Sequence, residues 1–179
     1  MLDRLKLSLE QGQPAALATV VGIRGSAPKP LGSSLLICSD GTVIGAVSGG
    51  CVEKEVQRQA QSVLETNVPK VMTYDGRFRL GCEGIIYILI EPVKITQELK
   101  THFETVFSKR IAFESESFYS MEEGTNKSYG TRFLFSGKRY SLGEGFAVSN
   151  ELECFTQSFK PLFQLYLFGA EHYTVHWLM

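Results

Sequence analysis

Apolar residues in the first half of the chain form short runs that end at glycine, proline or Asp-Gly pairs. The run 15–23 is nearly continuous and has a Thr-Val-Val centre, which is typical of a buried strand. Ser39-Asp40-Gly41 is typical of a hairpin turn, because Asp-Gly adopts the positive φ angles that such turns need. The pattern predicts strands at 15–23, 35–38, 42–47, 70–74 and 85–90.

A helical period replaces the strand pattern in three places. Leu2, Leu5 and Leu9 share one face of a short helix that Gly12 and Pro14 end. A second helix is predicted over 51–66, with an apolar stripe at Val52, Val56, Ala60, Val63 and Leu64. A third is predicted over 96–108, with an apolar stripe at Leu99, Phe103, Val106 and Phe107.

The second half of the chain has a weaker pattern. Strands are predicted at 111–119 and 130–135, a loop at 122–127, and no clear period is found over 138–158. A final predicted strand, 162–168, precedes Gly169-Ala170-Glu171-His172, the way a dinucleotide-binding βαβ unit begins. Glu171 occupies the second-glycine position, and the chain stops at Met179 before a second strand, so we expect an incomplete unit.

These elements predict an α/β fold, in which a mixed sheet is flanked by helices and followed by this incomplete C-terminal unit. We divide the chain into an N-terminal domain, 1–95, an additional α/β segment, 96–160, and the truncated start of a further domain, 161–179. Strand order is not predicted by the sequence.

Composition excludes several classes of protein. A net charge of −1 over 179 residues argues against nucleic acid or an anionic membrane recognised by bulk charge. The four cysteines include no CxxC pair and do not form a disulfide scaffold in a chain of this length. Together with the three histidines they show no zinc-site spacing. The apolar run 85–90 is too short to cross a bilayer, and because the first residues are charged and lack the apolar segment of a signal peptide, we expect none. We therefore expect a cytoplasmic protein with reduced thiols.

The strongest candidate for chemistry is Gly49-Gly50-Cys51, where a predicted strand turns into the second helix. Unpaired N–H groups at a helix start favour a bound anion or a thiolate. An ordinary turn with a small buried thiol is the alternative, and from this stretch alone we favour it. Glu53 and Glu55 in the first turn would compete with a bound anion.

Two other loops offer related chemistry. The stretch 24–34 contains two prolines and two glycines, and is either an ordinary surface loop or a rigid loop that presents Arg24, Lys29 and serine hydroxyls to an anion. A second glycine-flanked cysteine, Cys82, directly precedes the strand 85–90. If the strands next to Cys51 and Cys82 are neighbours in one sheet, the two thiols face a common cleft.

Taken together, the motifs resemble the XdhC/CoxI family, the accessory proteins of xanthine dehydrogenase and related molybdenum hydroxylases. The resemblance covers about residues 14–92 and rests on Gly25-Ser26-Ala27-Pro28 with Pro30-Leu31-Gly32-Ser33, Asp40-Gly41-Thr42, Val47-Ser48-Gly49-Gly50-Cys51-Val52-Glu53, Tyr74-Asp75, and Gly81-Cys82-Glu83-Gly84 with Glu91-Pro92. Glu83 and Glu171 stand where the family usually has glycine. The resemblance implies that 161–179 opens a Rossmann-like domain.

The resemblance also implies a non-catalytic role. Such proteins bind the molybdenum cofactor transiently, aid its sulfuration by a cysteine desulfurase, and insert it into a xanthine dehydrogenase-type hydroxylase. Carried onto this sequence, the implied cofactor-binding residues are Cys51, Cys82, Ser48, Gly49, Gly50, Glu53, Arg24, Ser26 and Lys29. Cys51 and Cys82 are the implied molybdenum contacts, since thiolates suit a thiophilic metal, whereas Cys38 and Cys154 are assigned no function.

Two alternatives from other classes stay open. A thiol-based or NAD(P)-dependent oxidoreductase would use Cys51 and Cys82 as a redox pair, or the C-terminal strand as part of a nucleotide domain. A docking or dimerisation module would bind no cofactor at all. A homodimer is compatible with each of these hypotheses.

Overall fold

The computed structural model describes residues 13–77, 84–143, 149, 151–161 and 164, with only the backbone of Cys51. In chain order the strands and helices are β1 (Ala15–Arg24), β2 (Ser34–Cys38), β3 (Val43–Gly45), α1 (Cys51–Thr66), β4 (Lys70–Asp75), β5 (Ile85–Pro92), α2 (Gln97–Ser108), β6 (Phe113–Tyr119), β7 (Gly124–Thr125), β8 (Gly130–Phe135), β9 (Lys138–Ser141) and β10 (Glu153–Phe159).

The first sheet has the strand order β3-β2-β1-β5-β4-β7, and every pair in it is antiparallel. The predicted α/β class is confirmed, but the sheet is antiparallel rather than mixed. The reason lies in the connection through α1. Its flanking strands, β3 and β4, run in the same direction, yet three strands lie between them, so no two parallel strands are neighbours.

The second sheet has the order β10-β6-β8-β9, again with antiparallel pairs only. It lies against one face of the first sheet, and α1 covers the opposite face. On the α1 face, Val56 and Ala60 pack on strand residues such as Ala18 and Ile88, all of them fully buried. Full burial of a larger side chain such as Val56 or Ile88 contributes about 1.5–3 kcal/mol to stability.

On the other face, α2 joins the two sheets through aromatic packing. The Phe103 ring lies 4.9 Å from the Phe133 ring and 5.3 Å from the Phe135 ring, in edge-to-face geometry. Leu36 of the first sheet belongs to the same cluster. The stripe predicted for this helix is therefore confirmed at Leu99, Phe103 and Val106, whereas Phe107 is 40% exposed.

The sequence pattern missed β9 and β10. The inward positions of β10 carry Phe155, Gln157 and Phe159, and the polar residue between two aromatics hides the alternation. The two residues of β7, in the predicted loop 122–127, pair with the edge of β4.

Some predictions fall outside the described residues, namely the helix on Leu2, Leu5 and Leu9, most of the second Gly-Cys loop with Cys82, and the strand 162–168 with the unit after it. The division of the chain at 95 and 160 remains a prediction. None of the helices in the described ranges is long and apolar enough to cross a membrane.

Candidate functional site

The chain leaves the first sheet after Gly45 and enters α1 through the turn Ala46–Gly50. Gly45 has φ +101°, and a Cβ there would lie 2.3 Å from the Ser34 carbonyl oxygen, so the approach of two backbones requires glycine. Gly50 is the N-cap of α1, with φ +135°. Val47 in the turn and Val52 in the first turn of α1 are both buried in the apolar cluster between α1 and the sheet. The turn therefore holds the start of α1 firmly against the sheet.

A carboxylate inside the first turn of α1 fixes the preceding turn. Glu53 Oε1 accepts the N–H of Ser48 at 2.8 Å and that of Val47 at 3.2 Å. Its Oε2 accepts the Ser48 hydroxyl at 2.8 Å and the Gly50 N–H at 2.7 Å. This is the glutamate half of a capping box, with Ser48 and Val47 as two additional backbone donors before the N-cap.

The same contacts set the charge of Glu53. Partial burial raises the pKa of Glu53, but the hydrogen bonds from Ser48 and Gly50 outweigh that effect and bring its pKa below the ordinary value. The side chain is therefore a carboxylate at neutral pH. It neutralises part of the positive end of α1 and occupies the Gly50 N–H, which an incoming anion would otherwise use.

Gly49 differs from its neighbours. Its φ lies outside the positive range, and a Cβ built on it would meet no atom within 4 Å among the described residues. Neither backbone conformation nor packing in the described part of the chain requires glycine at this position. The absent side chain leaves open space next to the first N–H groups of α1, where a ligand can approach bare backbone.

The loop 25–33 follows β1 and returns to β2. Arg24, Ser26 and Lys29 are all exposed, and the Arg24 guanidinium lies 5.6 Å from the centre of the Tyr87 ring. Ala27 packs on the apolar cluster that includes Val47 and Val52. The loop thus lies on the same side of the first sheet as the start of α1.

Gly84, at the end of the second Gly-Cys loop, contacts the backbone at the start of the loop 25–33. A Cβ on Gly84 would lie 2.1 Å from the carbonyl oxygen of Ser26 and 2.8 Å from that of Arg24, so the two backbones are in direct contact. The Gly84 carbonyl also accepts the Gly76 N–H at 2.9 Å. Cys82 precedes Gly84 by two positions in the sequence and lies outside the described residues, as does the side chain of Cys51.

Strand register shows how the three loops are arranged. Arg24 at the end of β1 and Asp75 at the end of β4 both pair with Ile85 at the start of β5. β3, which leads to the turn Ala46–Gly50, ends in the same direction as β1. The loop after Arg24, the turn with Gly49 and the residue Gly84 therefore lie at one end of the first sheet. The strands next to Cys51 and Cys82, β3 and β5, are nevertheless separated by β2 and β1.

The structure brings some of the predicted site residues together. Ser48, Gly50 and Glu53 form one hydrogen-bonded group, and Ser26 contacts the residue that closes the second loop. The sequence analysis had Glu53 both as an implied cofactor-binding residue and as a competitor of a bound anion, and it missed the hydrogen bonds from the turn to Glu53. Its position three residues after the N-cap was the available signal. Of the remaining cysteines, Cys38 is buried and Cys154 is exposed.

The fold and this turn define a class: an α/β protein of two antiparallel sheets, with a glycine turn and a glutamate-tethered helix start at one sheet end. Residues 8–75 match the family model of XdhC and CoxI, so the resemblance seen in the motifs is confirmed. The N-terminal segment, which carries Gly49 and Cys51, is thus similar to the XdhC and CoxI family.

Two relatives have informative names. A Bacillus subtilis protein, named as a probable subunit of xanthine dehydrogenase, is 38% identical over 114 residues, which are 59% of this chain and 33% of that protein. The molybdenum cofactor insertion chaperone PaoD of Escherichia coli is 33% identical over 97 residues, which are 51% of this chain and 30% of that protein. The matches thus span about a third of the length of these relatives.

A solved structure shares the fold. The crystal structure of a xanthine dehydrogenase from Bacillus halodurans superposes with a TM-score of 0.64 at 22% sequence identity. The match covers 89% of this chain and 52% of that one.

Proposed function

We propose that this chain carries the cofactor-binding part of an accessory protein that inserts molybdenum cofactor into a xanthine dehydrogenase-type hydroxylase. The family match and the relative named as a molybdenum cofactor insertion chaperone support this proposal. The cofactor is the cargo of the protein. It combines a pterin, a phosphate and a thiophilic metal held by a dithiolene.

The observation that carries the proposal is the open space above Gly49. The described structure gives no conformational or packing reason for glycine there, while a ligand that approaches the N-terminus of α1 needs such bare backbone. The phosphate of the cofactor suits the N–H groups of Gly49 and Cys51. Because Glu53 already accepts the Gly50 N–H, we assign Ser48, Gly50 and Glu53 to positioning the turn.

The remaining predicted residues supply charge and sulfur. Lys29 is an exposed cation on the loop that lies on the α1 side of the sheet, and Ser26 contributes hydroxyl and backbone groups on the same loop. Arg24 is an exposed cation at the end of β1, where its guanidinium lies over the Tyr87 ring. Cys51 is the first residue of α1, and thiols at helix N-termini ionise more readily than free ones, so the proposal assigns Cys51 to contact with molybdenum or its sulfido ligand. Cys82 is the second thiol of the proposal.

The finer points of the proposal follow from the family resemblance. The bound cofactor is sulfurated by a cysteine desulfurase before insertion, and the protein works in the cytoplasm, where thiols stay reduced. A homodimer is a further assembly that size-exclusion chromatography would test.

The experiment is cofactor retention by the reduced, purified chain, with cofactor released anaerobically from a donor enzyme. We expect wild type to retain cofactor, and Cys51→Ala and Gly49→Ala to lose most of it. Cys154→Ala is the matched control, because this exposed thiol lies on β10 of the second sheet. Cys82→Ala tests the second thiol. Circular dichroism checks that each variant is folded.

Three results would contradict the proposal in different ways. Equal retention by wild type, Cys51→Ala and Gly49→Ala would remove the start of α1 from the site. A reversible Cys51–Cys82 disulfide at a cytosolic potential, without cofactor binding, would favour a thiol oxidoreductase. No retention by any form, together with concentration-dependent association, would favour a docking module.

A further inference from the structure

A cavity of about 120 Å³ lies between the two sheets, on the face of the first sheet opposite α1. Leu17 and Leu36 of the first sheet form one wall, and the Phe113 and Phe133 rings belong to the other. A cavity of about 150 Å³ with apolar walls holds a benzene molecule. This space is somewhat smaller, so it admits at most one small ring and is too small for a cofactor that combines a pterin, a phosphate and a metal.

One part of the cavity wall is polar. Ser115, Ser117 and Thr131 line it, and each is at most 4% exposed. The Ser117 and Thr131 hydroxyl oxygens are 2.8 Å apart. Behind them lies Glu91, 1% exposed, whose carboxylate accepts the Thr131 hydroxyl at 2.5 Å and the Thr131 N–H at 2.8 Å.

The direction of these hydrogen bonds follows from chemistry. Above its pKa the Glu91 carboxylate is ionised and only accepts, so the hydrogen of the Thr131 hydroxyl is directed to Glu91. The hydrogen between the two hydroxyls must then come from Ser117. Ser117 is left with acceptor lone pairs at the cavity wall. Within the described ranges the Ser115 hydroxyl has no hydrogen-bond partner, so it is able to donate or accept there.

We propose that this cavity binds a neutral, single-ring molecule that carries an O–H or N–H donor. The ring packs between Leu36 and Phe133, and its donor group donates to the Ser117 hydroxyl oxygen while the Ser115 hydroxyl completes its hydrogen bonding. The site is distinct from the turn Ala46–Gly50, because the first sheet separates the two. It does not depend on the proposed cofactor function.

Phenol and toluene are matched probes, since both are single rings and only phenol carries a donor. A phenol hydroxyl that enters an apolar cavity without a partner loses its hydrogen bonds to water, which opposes binding. Binding is measured by backbone amide NMR titration of the full chain at pH 8.5. We expect saturable phenol binding, with shifts centred on Ser115, Ser117 and Phe133.

Two variants locate the site and the hydrogen bond. Ser117→Ala removes the acceptor, and we expect about fivefold weaker phenol binding with less than about twofold change for toluene. Ser115→Leu fills the cavity and is expected to abolish binding of both probes. If Ser115→Leu does not fold, the comparison of phenol with toluene binding to Ser117→Ala still tests the hydrogen bond, because both ligands are measured on the same variant.

The contrary results are equally specific. Absence of saturable phenol binding to wild type would overturn the proposal. So would an equal effect of Ser117→Ala on phenol and toluene, or amide shifts that are centred away from the cavity.

Discussion

Glu91 makes a quantitative prediction possible, because it is a carboxylate buried between the two sheets. It lies on β5 of the first sheet and accepts two hydrogen bonds from Thr131 on β8 of the second sheet. Burial raises the pKa of Glu91 to about 7, although the hydrogen bonds from Thr131 act in the opposite direction. The ordinary value is 4.5.

The sign and size of the effect on stability follow from linkage. The folded state binds the Glu91 proton more tightly than the unfolded state does, so unfolding is opposed most strongly below pH 4.5. This contribution decreases as the pH rises through the interval from 4.5 to about 7, and it is absent above that interval. At about 1.4 kcal/mol per pKa unit, the whole interval corresponds to about 3 kcal/mol.

The assay compares urea unfolding of wild type and Glu91→Gln at pH 5 and pH 8.5. Glutamine has almost the same shape and does not titrate, so the difference between the two proteins isolates Glu91 from every other group. We expect the free energy of unfolding of Glu91→Gln, relative to wild type, to rise by about 2–3 kcal/mol between the two pH values.

A relative free energy that changes by less than about 0.5 kcal/mol would refute the reasoning, and so would a change of opposite sign. Either result would mean that the Glu91 carboxylate is not desolvated between the sheets.

Two further predictions concern the candidate site. Glu53→Gln weakens the hydrogen bonds from Ser48 and Gly50, so we expect about 1–3 kcal/mol lower stability at pH 7. Because the pKa of Glu53 is lowered, this difference becomes smaller as the pH falls below 4.5, which urea unfolding at pH 7 and pH 3.5 measures. Gly84→Ala puts a Cβ 2.1 Å from the Ser26 carbonyl oxygen, so we expect the free energy of unfolding to fall by about 2 kcal/mol or more, measured by thermal unfolding. Gly49→Ala is the control and changes the free energy of unfolding by less than about 1 kcal/mol. Equal losses for the two variants would contradict the packing argument.

Local signals predicted several elements well. α1 begins at Cys51 and ends at Thr66 as the apolar stripe indicated, because the glycine turn before it and Asn67 after it, with φ +55°, punctuate the helix. The Asp40-Gly41 hairpin was equally recognisable, since the Asp40 carboxylate accepts the Thr42 N–H at 2.8 Å.

Long-range features could not be predicted, for a physical reason. The order of the strands depends on which edges meet after collapse, and β1 pairs with β5 across at least sixty intervening positions. The contact between Gly84 and the Ser26 backbone has no local signature either. The buried role of Glu91 depends on Thr131, forty residues away.

The position of Glu53 fits a binding site that has to release its cargo. A helix start without an internal carboxylate offers its full positive end to a phosphate, which favours tight binding. Here Glu53 accepts the Gly50 N–H and partly neutralises that end, while Gly49 stays open to a ligand. Under the proposed function, the same carboxylate that shapes the turn also limits its affinity for the phosphate. Transient binding of a cofactor on its way to another enzyme requires that combination, since a carrier that binds too tightly cannot deliver it.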